Sequence, residues 1–211
     1  MPARKPLPPI TSPWSEEATW QAHSWAHVSG WALLSGTRRT VSCIVTCQDQ
    51  ARILVDLLPA LSDTLTECGY PWEMIAVDCG STDQTRQVLA LWRDVPGFRC
   101  MRCDAGSLRT LAVAAGLSSA RGDAVIIVDA GVPRITDHVP GMILRWEAGA
   151  RLVCAVQDGD GDALRLLDWD DAGLQRLATR SGNGNGSGLP AETTTFGLLD
   201  RRLVNELVGI A

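Results

Sequence analysis

Residues 124–131 read AVIIVDAG, and this short stretch decides the fold class. Five apolar residues end on Asp129 and are followed by a small residue and a glycine. A run this short and this apolar is typical of a strand buried on both faces, in the middle of a parallel sheet. Because ligands of such sheets bind beyond the carboxyl ends of the strands, Asp129 is a candidate site residue.

Similar strands flank this stretch and alternate with segments of helical spacing. Strands are predicted at 41–47, 73–78, 98–103 and 151–156, and helices at 50–68, about 82–93, 107–120 and 136–148. This alternation predicts βαβ units and an α/β fold with a mixed, mostly parallel sheet covered by helices on both faces. The second strong strand ends on Asp78, a further candidate. Pro59 lies inside the first helical run and predicts a kink or break.

The N-terminal part of the chain differs from this α/β pattern. Residues 1–11 are basic and rich in proline, which predicts a flexible arm. The next segment places four tryptophans on one side of a predicted helix: Trp14, Trp20, Trp25 and Trp31. We predict an arm and Trp-rich helix over 1–37 and one α/β domain over 38–211. The tryptophans either pack on that domain or on a protein partner, or lie at a membrane surface.

Two polar stretches interrupt the second half of the α/β pattern. Residues 158–171 contain six aspartates but lack the glycine and glutamate that a calcium-binding EF-hand loop needs, which predicts a solvated acidic loop. Residues 181–188 read SGNGNGSG and predict a flexible linker.

Composition excludes several classes of protein. The chain has 211 residues, 45% of them hydrophobic, and a net charge of −5, which is typical of a globular domain rather than a general nucleic-acid binder. No stretch approaches the roughly 20 apolar residues of a membrane span, and no signal peptide is apparent. The seven cysteines lack zinc-finger spacing. These features predict reduced thiols and a cytoplasmic protein, with peripheral membrane association left open.

Four segments, taken in order, resemble the family 2 glycosyltransferases of the GT-A fold, in particular the polyprenyl-phosphate sugar transferases such as dolichol-phosphate mannose synthase. They are VSCIVTCQDQ (41–50), VDCGSTDQT (77–85), AAGLSSARGDAVIIVDAG (114–131) and FGLLDRR (196–202). The resemblance implies a GT-A, Rossmann-like domain that transfers a sugar from a UDP or GDP sugar to a lipid phosphate or another hydroxyl acceptor.

The resemblance also implies roles for individual residues. Asp78, Asp83, Arg109 and Asp49 would bind the nucleotide, by analogy with the matching segments of the family. Asp129 would be the catalytic residue that holds Mg²⁺ or Mn²⁺, because the family's D-x-D motif ends this strand. Such a cation neutralises the charge that develops on the departing diphosphate.

Several positions depart from the family pattern. Cys79 replaces a second acid after Asp78, and Gly131 replaces the second carboxylate of D-x-D, so that motif is degenerate. Gln157 stands where an arginine is common, and Thr194-Thr195 precede FGLLDRR in place of an acid-containing segment. Two hypotheses remain open: an active inverting glycosyltransferase, or a non-catalytic domain that binds a nucleotide or a protein. An unrelated α/β nucleotide-binding protein is disfavoured because Walker A and Rossmann glycine patterns are missing.

Overall fold

The computed structural model describes residues 39–103, 109–132, 134–157, 164–181 and 194–209. The arm and Trp-rich helix predicted over 1–37 lie outside the described residues. So does most of the linker predicted at 181–188, together with the first part of the predicted acidic loop.

The described residues form a strand-rich α/β domain with the following elements. In chain order they are β1 (Val41–Cys47), α1 (Ala51–Glu67), β2 (Trp72–Asp78), α2 (Thr85–Leu91), β3 (Phe98–Arg102), α3 (Arg109–Ser119), β4 (Ala124–Asp129), a 3-10 helix (Ile135–His138), α4 (Val139–Glu147), β5 (Leu152–Gln157), β6 (Leu164–Trp169), α5 (Asp171–Ser181), β7 (Thr194–Asp200) and α6 (Arg201–Val208). None of the helices in this described part is long and apolar enough to cross a bilayer.

All seven strands join one sheet in the order β3-β2-β1-β4-β7-β5-β6. β1 pairs in parallel with β2 and β4, and β2 pairs in parallel with β3. β7 is antiparallel to β4 and to β5, and β6 is antiparallel to β5. Because β3, β2, β1, β4 and β5 therefore run in one direction, the predicted mixed, mostly parallel sheet is confirmed.

Helices cover both faces of the sheet, as predicted. On one face α1 and α4 bury Leu58 and Met142 in the larger apolar cluster. On the other face α3 and α6 contribute Ala112 and Val204 to a second cluster. The largely apolar pattern of the central strands follows from this double cover, since a strand between two helical layers has no solvent-facing side.

The break predicted at Pro59 is wrong, because α1 runs unbroken from Ala51 to Glu67. A proline inside a helix costs about 3 kcal/mol. Leu54 and Leu58 before it and Leu61 and Leu65 after it are all buried. Burying each such side chain contributes about 1.5–3 kcal/mol, so packing along the whole helix outweighs the missing hydrogen bond.

The acidic loop predicted over 158–171 is wrong for its second part. Residues 164–169 form β6, which pairs with β5 at the edge of the sheet. Leu164 and Leu166 pack against the larger apolar cluster, whereas Arg165 and Asp168 are exposed. The alternation of an edge strand is therefore present in LRLLDW, but the surrounding aspartates obscure it.

A polar network ties the amino ends of β1 and β2 together, at the edge of the sheet opposite to Asp78 and Asp129. Ser42 Oγ donates to Glu73 Oε1 at 2.6 Å, and the Arg121 backbone N–H donates to the same oxygen at 2.6 Å. Arg99 Nη2 lies 2.6 Å from Glu73 Oε2. Gly122 N donates to Ser42 Oγ at 2.7 Å, and a Cβ at Gly122 would lie 2.5 Å from Ser42 N, so this close approach requires glycine.

Replacing Glu73 by glutamine is expected to destabilise the domain by about 1–3 kcal/mol, the cost typical of a lost charged hydrogen bond. Burial opposes ionisation of Glu73, but the bonds from Ser42, the Arg121 N–H and Arg99 outweigh it and lower the pKa below 4.5. The stabilisation is thus complete above pH 4.5 and is lost as the pH falls through the lowered pKa. Urea unfolding of both proteins between pH 3 and pH 7 measures the difference in their free energies of unfolding at each pH. Parallel pH profiles of the two proteins would contradict the assignment.

Candidate nucleotide-binding site

The predicted site residues Asp78 and Asp129 lie at the same edge of the sheet, on either side of β1. Asp78 is the last residue of β2 and is in register with Cys47, the last residue of β1. Asp129 ends β4 and is in register with Thr46 of β1. The sheet thus brings both carboxylates to the carboxyl ends of three adjacent parallel strands, which is where ligands of such sheets bind.

Asp49 and Asp83 join the loop after β1 to the loop after β2. Asp49 Oδ1 accepts from the backbone N–H groups of Thr82 at 2.7 Å and Asp83 at 3.1 Å, and from Thr82 Oγ1 at 3.2 Å. Asp83 accepts from the backbone N–H of Ala51 at 3.2 Å and of Thr85 at 2.8 Å. Both carboxylates are therefore held by backbone donors. Their predicted role in nucleotide binding remains a prediction.

Asp49→Ala is expected to destabilise the domain by about 2–4 kcal/mol. The substitution removes the acceptor of two backbone N–H groups, and the φ of 52° at Asp49 is unfavourable for alanine. Asp49→Asn is the matched control, because asparagine keeps the acceptor oxygen and tolerates this backbone conformation. Thermal unfolding of the three proteins measures the difference. Equal losses in both variants would show that the charge, and not the acceptor geometry, is what matters.

Asp78 is buried and incompletely hydrogen-bonded. The residue is 1% exposed, and its Oδ1 accepts from the backbone N–H of Ser81 at 2.8 Å. Its Oδ2 is buried without a hydrogen-bond partner among the described residues. An unsatisfied buried acceptor costs about 1–3 kcal/mol, so a donor supplied by a ligand would recover that free energy.

The surroundings of Asp78 keep neighbouring thiols protonated. Burial, and then the charge of Asp78, raise the pKa of Cys47 well above its usual value. Burial and Asp78 likewise raise the pKa of Cys100 on β3. Neither thiol is therefore activated as a nucleophile at neutral pH.

Asp129 has a glycine and an amide beside it where the family pattern has a second carboxylate. Asp129 Oδ1 accepts from the backbone N–H of Gly131 at 3.0 Å. A Cβ at Gly131 would lie 2.8 Å from Gln50 Nε2 and 3.5 Å from Asp129 Oδ1. The Gln50 amide thus borders the space into which a second carboxylate would extend. Sequence reasoning missed Gln50, because this contact joins two loops that are far apart in the chain.

The described residues do not offer a preformed site for Mg²⁺ or Mn²⁺. They contain no group of three or more His, Cys, Asp or Glu side chains that could hold a metal ion. The segment predicted to be a degenerate D-x-D motif has one carboxylate, that of Asp129, and one of its oxygens accepts from a backbone N–H. Oxygen ligands are what these cations require, and an amide NH₂ group at Gln50 is not one. This donor set does not fit a cation held by the protein itself.

Arg109, the remaining predicted nucleotide-binding residue, is the first residue of α3. Its side chain lies outside the described part of the structure, so its role remains a prediction. Sequence reasoning did not single out Arg102, which ends β3 in register with Asp78. The available signal was its position, since it closes a strand of the same parallel set.

Residues 42–208 match the model of the family "Glycosyl transferase family 2". A curated relative from Synechocystis, an uncharacterised glycosyltransferase, is 22% identical over 79% of this chain and 52% of its own. An undecaprenyl-phosphate 4-deoxy-4-formamido-L-arabinose transferase from Pseudomonas fluorescens is 26% identical over 58% of this chain and 37% of its own. The chain thus spans about half, or less, of the length of these relatives.

Solved structures show the same fold. A Pyrobaculum calidifontis mannosyltransferase in complex with GDP-Man and Mn²⁺ covers 88% of this chain and 53% of its own, with 20% identity and a TM-score of 0.55. Glucosyl-3-phosphoglycerate synthase from Mycobacterium tuberculosis, with UDP and Mn²⁺, covers 90% of this chain and 64% of its own, with 18% identity and a TM-score of 0.54. Both are GT-A glycosyltransferases, so the predicted GT-A fold is confirmed. The chain belongs to glycosyl transferase family 2.

Proposed function

We propose that this domain binds a nucleoside-diphosphate sugar at the carboxyl ends of β1, β2 and β4 and transfers the sugar to a lipid phosphate or another hydroxyl acceptor. The observation that carries the proposal is the buried Oδ2 of Asp78, which lacks a partner among the described residues. A nucleotide base that offers an N–H group would satisfy this oxygen. The donor is a UDP or GDP sugar, the two nucleotides named with the solved structures of the same fold.

The acceptor follows from the chemistry of the relatives. The Pseudomonas relative is named for undecaprenyl phosphate, and a phosphate acceptor is already ionised, so its oxygen needs no general base. In the proposed reaction this oxygen bonds to the anomeric carbon, and the bond from that carbon to the diphosphate breaks. The nucleoside diphosphate leaves with the bonding electrons. A lipid acceptor would bring this domain, which we predict to be cytoplasmic, to a membrane surface.

The departing diphosphate needs positive charge around it. We assign Arg109, at the start of α3, to this role, as the family resemblance implies. Because the donors around Asp129 do not fit a cation held by the protein, no step is assigned to Mg²⁺ or Mn²⁺. Asp129 keeps a role in orienting the sugar, since carboxylate oxygens accept from sugar hydroxyls.

A second candidate function is nucleotide or protein binding without transfer. Two observations favour it. Gly131 and the amide of Gln50 stand beside Asp129 in place of a second carboxylate, and the carboxylates of Asp49 and Asp83 accept hydrogen bonds from backbone N–H groups of the loops. In this case the Trp-rich segment over 1–37, proposed as a unit separate from the domain over 38–211, would contact a protein partner. The buried Oδ2 of Asp78, which lacks a hydrogen-bond partner among the described residues, favours ligand binding under either function.

A transfer assay separates these two functions. The full chain is incubated with UDP-glucose, UDP-GlcNAc or GDP-mannose and with undecaprenyl phosphate in detergent, and the released UDP or GDP is measured. Acceptor-dependent release that Asp129→Ala abolishes supports the transferase. If no donor is consumed while UDP or GDP still binds, the non-catalytic function is correct. If neither nucleotide binds, the transferase and nucleotide binding without transfer are both wrong, and protein binding is the function left.

A further inference from the structure

A cavity lies beside the site, between α2 and the edge strand β3. The cavity has a volume of about 570 Å³, within the range of about 300–1,000 Å³ that is usual for small-molecule sites. Leu89 and Phe98 provide apolar surface, and Asp78 lies at the end that meets the site described above. The cavity therefore extends from the carboxyl end of β2 along the edge of the sheet.

Four arginines line this cavity, and the side chains of three of them have no partner among the described residues. Arg86 lies in the first turn of α2, Arg93 just after its end, and Arg102 at the end of β3. All three are exposed, and in the described part of the chain no hydrogen bond or ion pair holds their side chains. The fourth lining arginine, Arg99, is paired with Glu73. Several arginines elsewhere in the domain are also paired with acids: Arg134 with Asp137, Arg145 with Asp168, and Arg151 with Asp171 and Glu206.

The charge of the cavity is positive in a chain whose net charge is −5. Asp78 is the one acid among the lining residues, and it is 1% exposed. Cys100 also lines the cavity, and burial, followed by the charge of Asp78, raises the pKa of its thiol, so it adds no negative charge at neutral pH. Unpaired positive charges placed around one cavity repel each other unless an anion joins them.

The guanidinium group favours one class of anion. Its planar set of donors matches phosphate and carboxylate oxygens in pairs, and bonds between ionised partners are about twice as strong as neutral ones. Several arginines around an apolar surface suit a phosphate group carried on a small organic or lipid moiety. We propose that the cavity between α2 and β3 binds a phosphate-bearing ligand through Arg86, Arg93 and Arg102.

This ligand is distinct from the sugar donor proposed above. Arg86 and Arg93 are not among the residues assigned to the donor, and the two sites meet only at Asp78. A phosphate group could come from a free phosphorylated molecule or from the headgroup of a phospholipid. The chemistry of recognition is the same for both sources, so the experiment has one arm for each.

The test compares two pairs of substitutions of equal charge in the full chain. Arg86→Gln with Arg93→Gln removes two positive charges from the cavity. Arg165→Gln with Arg202→Gln removes two from exposed positions elsewhere in the described domain. Calorimetry with inorganic phosphate and pyrophosphate measures binding of a free phosphate ligand. Sedimentation with phosphatidylcholine vesicles, with and without phosphatidic acid, measures binding of a phospholipid headgroup.

We expect the first pair to weaken binding of phosphate, pyrophosphate or phosphatidic acid vesicles by about tenfold or more, and the control pair to leave it unchanged. Binding to vesicles alone would assign the headgroup as the source. No binding in either arm, or equal weakening by both pairs, would overturn the proposal. UDP and GDP titrations of the same variants separate this result from the donor site, since we expect the affinity for these nucleotides to be unaffected by Arg86→Gln with Arg93→Gln.

Discussion

Asp78→Asn is expected to weaken binding of the nucleoside diphosphate by roughly 10- to 100-fold while the domain stays folded. A hydrogen bond to a charged group contributes about 1.5–3 kcal/mol, which corresponds to this range. Asparagine keeps the oxygen that accepts from Ser81 N–H but places an NH₂ group at the position of Oδ2, which in the proposed complex accepts from an N–H group of the nucleotide base. Two donors would then face each other, so the loss of affinity is specific to this atom.

Unfolding measurements distinguish this loss from a general loss of structure. Replacing a buried carboxylate by a neutral amide reduces the cost of desolvation, so we expect the unfolding temperature of Asp78→Asn to equal or exceed that of the original protein. Asp56→Asn, at an exposed position of α1, is the matched control for the change in charge. If Asp78→Asn binds the nucleotide with unchanged affinity, Asp78 does not contribute to nucleotide binding.

Gly131→Asp is expected to raise the affinity for Mn²⁺ by about tenfold or more in the presence of nucleotide. The new side chain would begin 3.5 Å from Asp129 Oδ1 and would displace the flexible end of Gln50, which lies 2.8 Å away. Residue 131 is not among those with positive φ, so a side chain there does not strain the backbone. Two adjacent carboxylates supply the oxygen ligands that the original site lacks.

Asparagine at the same position is the control for this gain. Gly131→Asn has nearly the same volume as Gly131→Asp and contacts Gln50 in the same way, but it adds no charge. Calorimetric titration with Mn²⁺ measures both variants. If the asparagine variant gains as much affinity for Mn²⁺, or if neither variant gains any, the missing second carboxylate does not explain why the described residues lack a preformed metal site.

Much of the fold could be predicted because its strands are buried on both faces. The stretch 124–128 is apolar throughout, and the structure places it beside β1 in the middle of the sheet. β6 was missed because an edge strand is only half-buried, and its alternation in LRLLDW is short and surrounded by aspartates. The break predicted at Pro59 was wrong because helix propensity is local, whereas four buried leucines on both sides of Pro59 keep α1 continuous through it.

Of the candidate site, the sequence could predict only the residues that end the strands. Asp78 and Asp129 follow from strand patterns, because parallel strands bring their carboxyl ends to one edge. The bonds of Asp49 and Asp83 depend on how two loops meet, and the φ of 52° at Asp49 has no sequence signal. The contact of Gln50 with the position of Gly131 is likewise tertiary, and no local pattern encodes it.

Calorimetric titration of the full chain with UDP and GDP, each with and without Mn²⁺, tests the proposed site most directly. In the proposed site the Oδ2 of Asp78, which lacks a partner among the described residues, makes the main contact, and those residues contain no preformed metal site. We therefore expect one of these nucleotides to bind without Mn²⁺ and to lose that affinity in Asp78→Asn. Binding of neither nucleotide under any of these conditions would contradict the proposal that this edge of the sheet is a nucleotide-binding site.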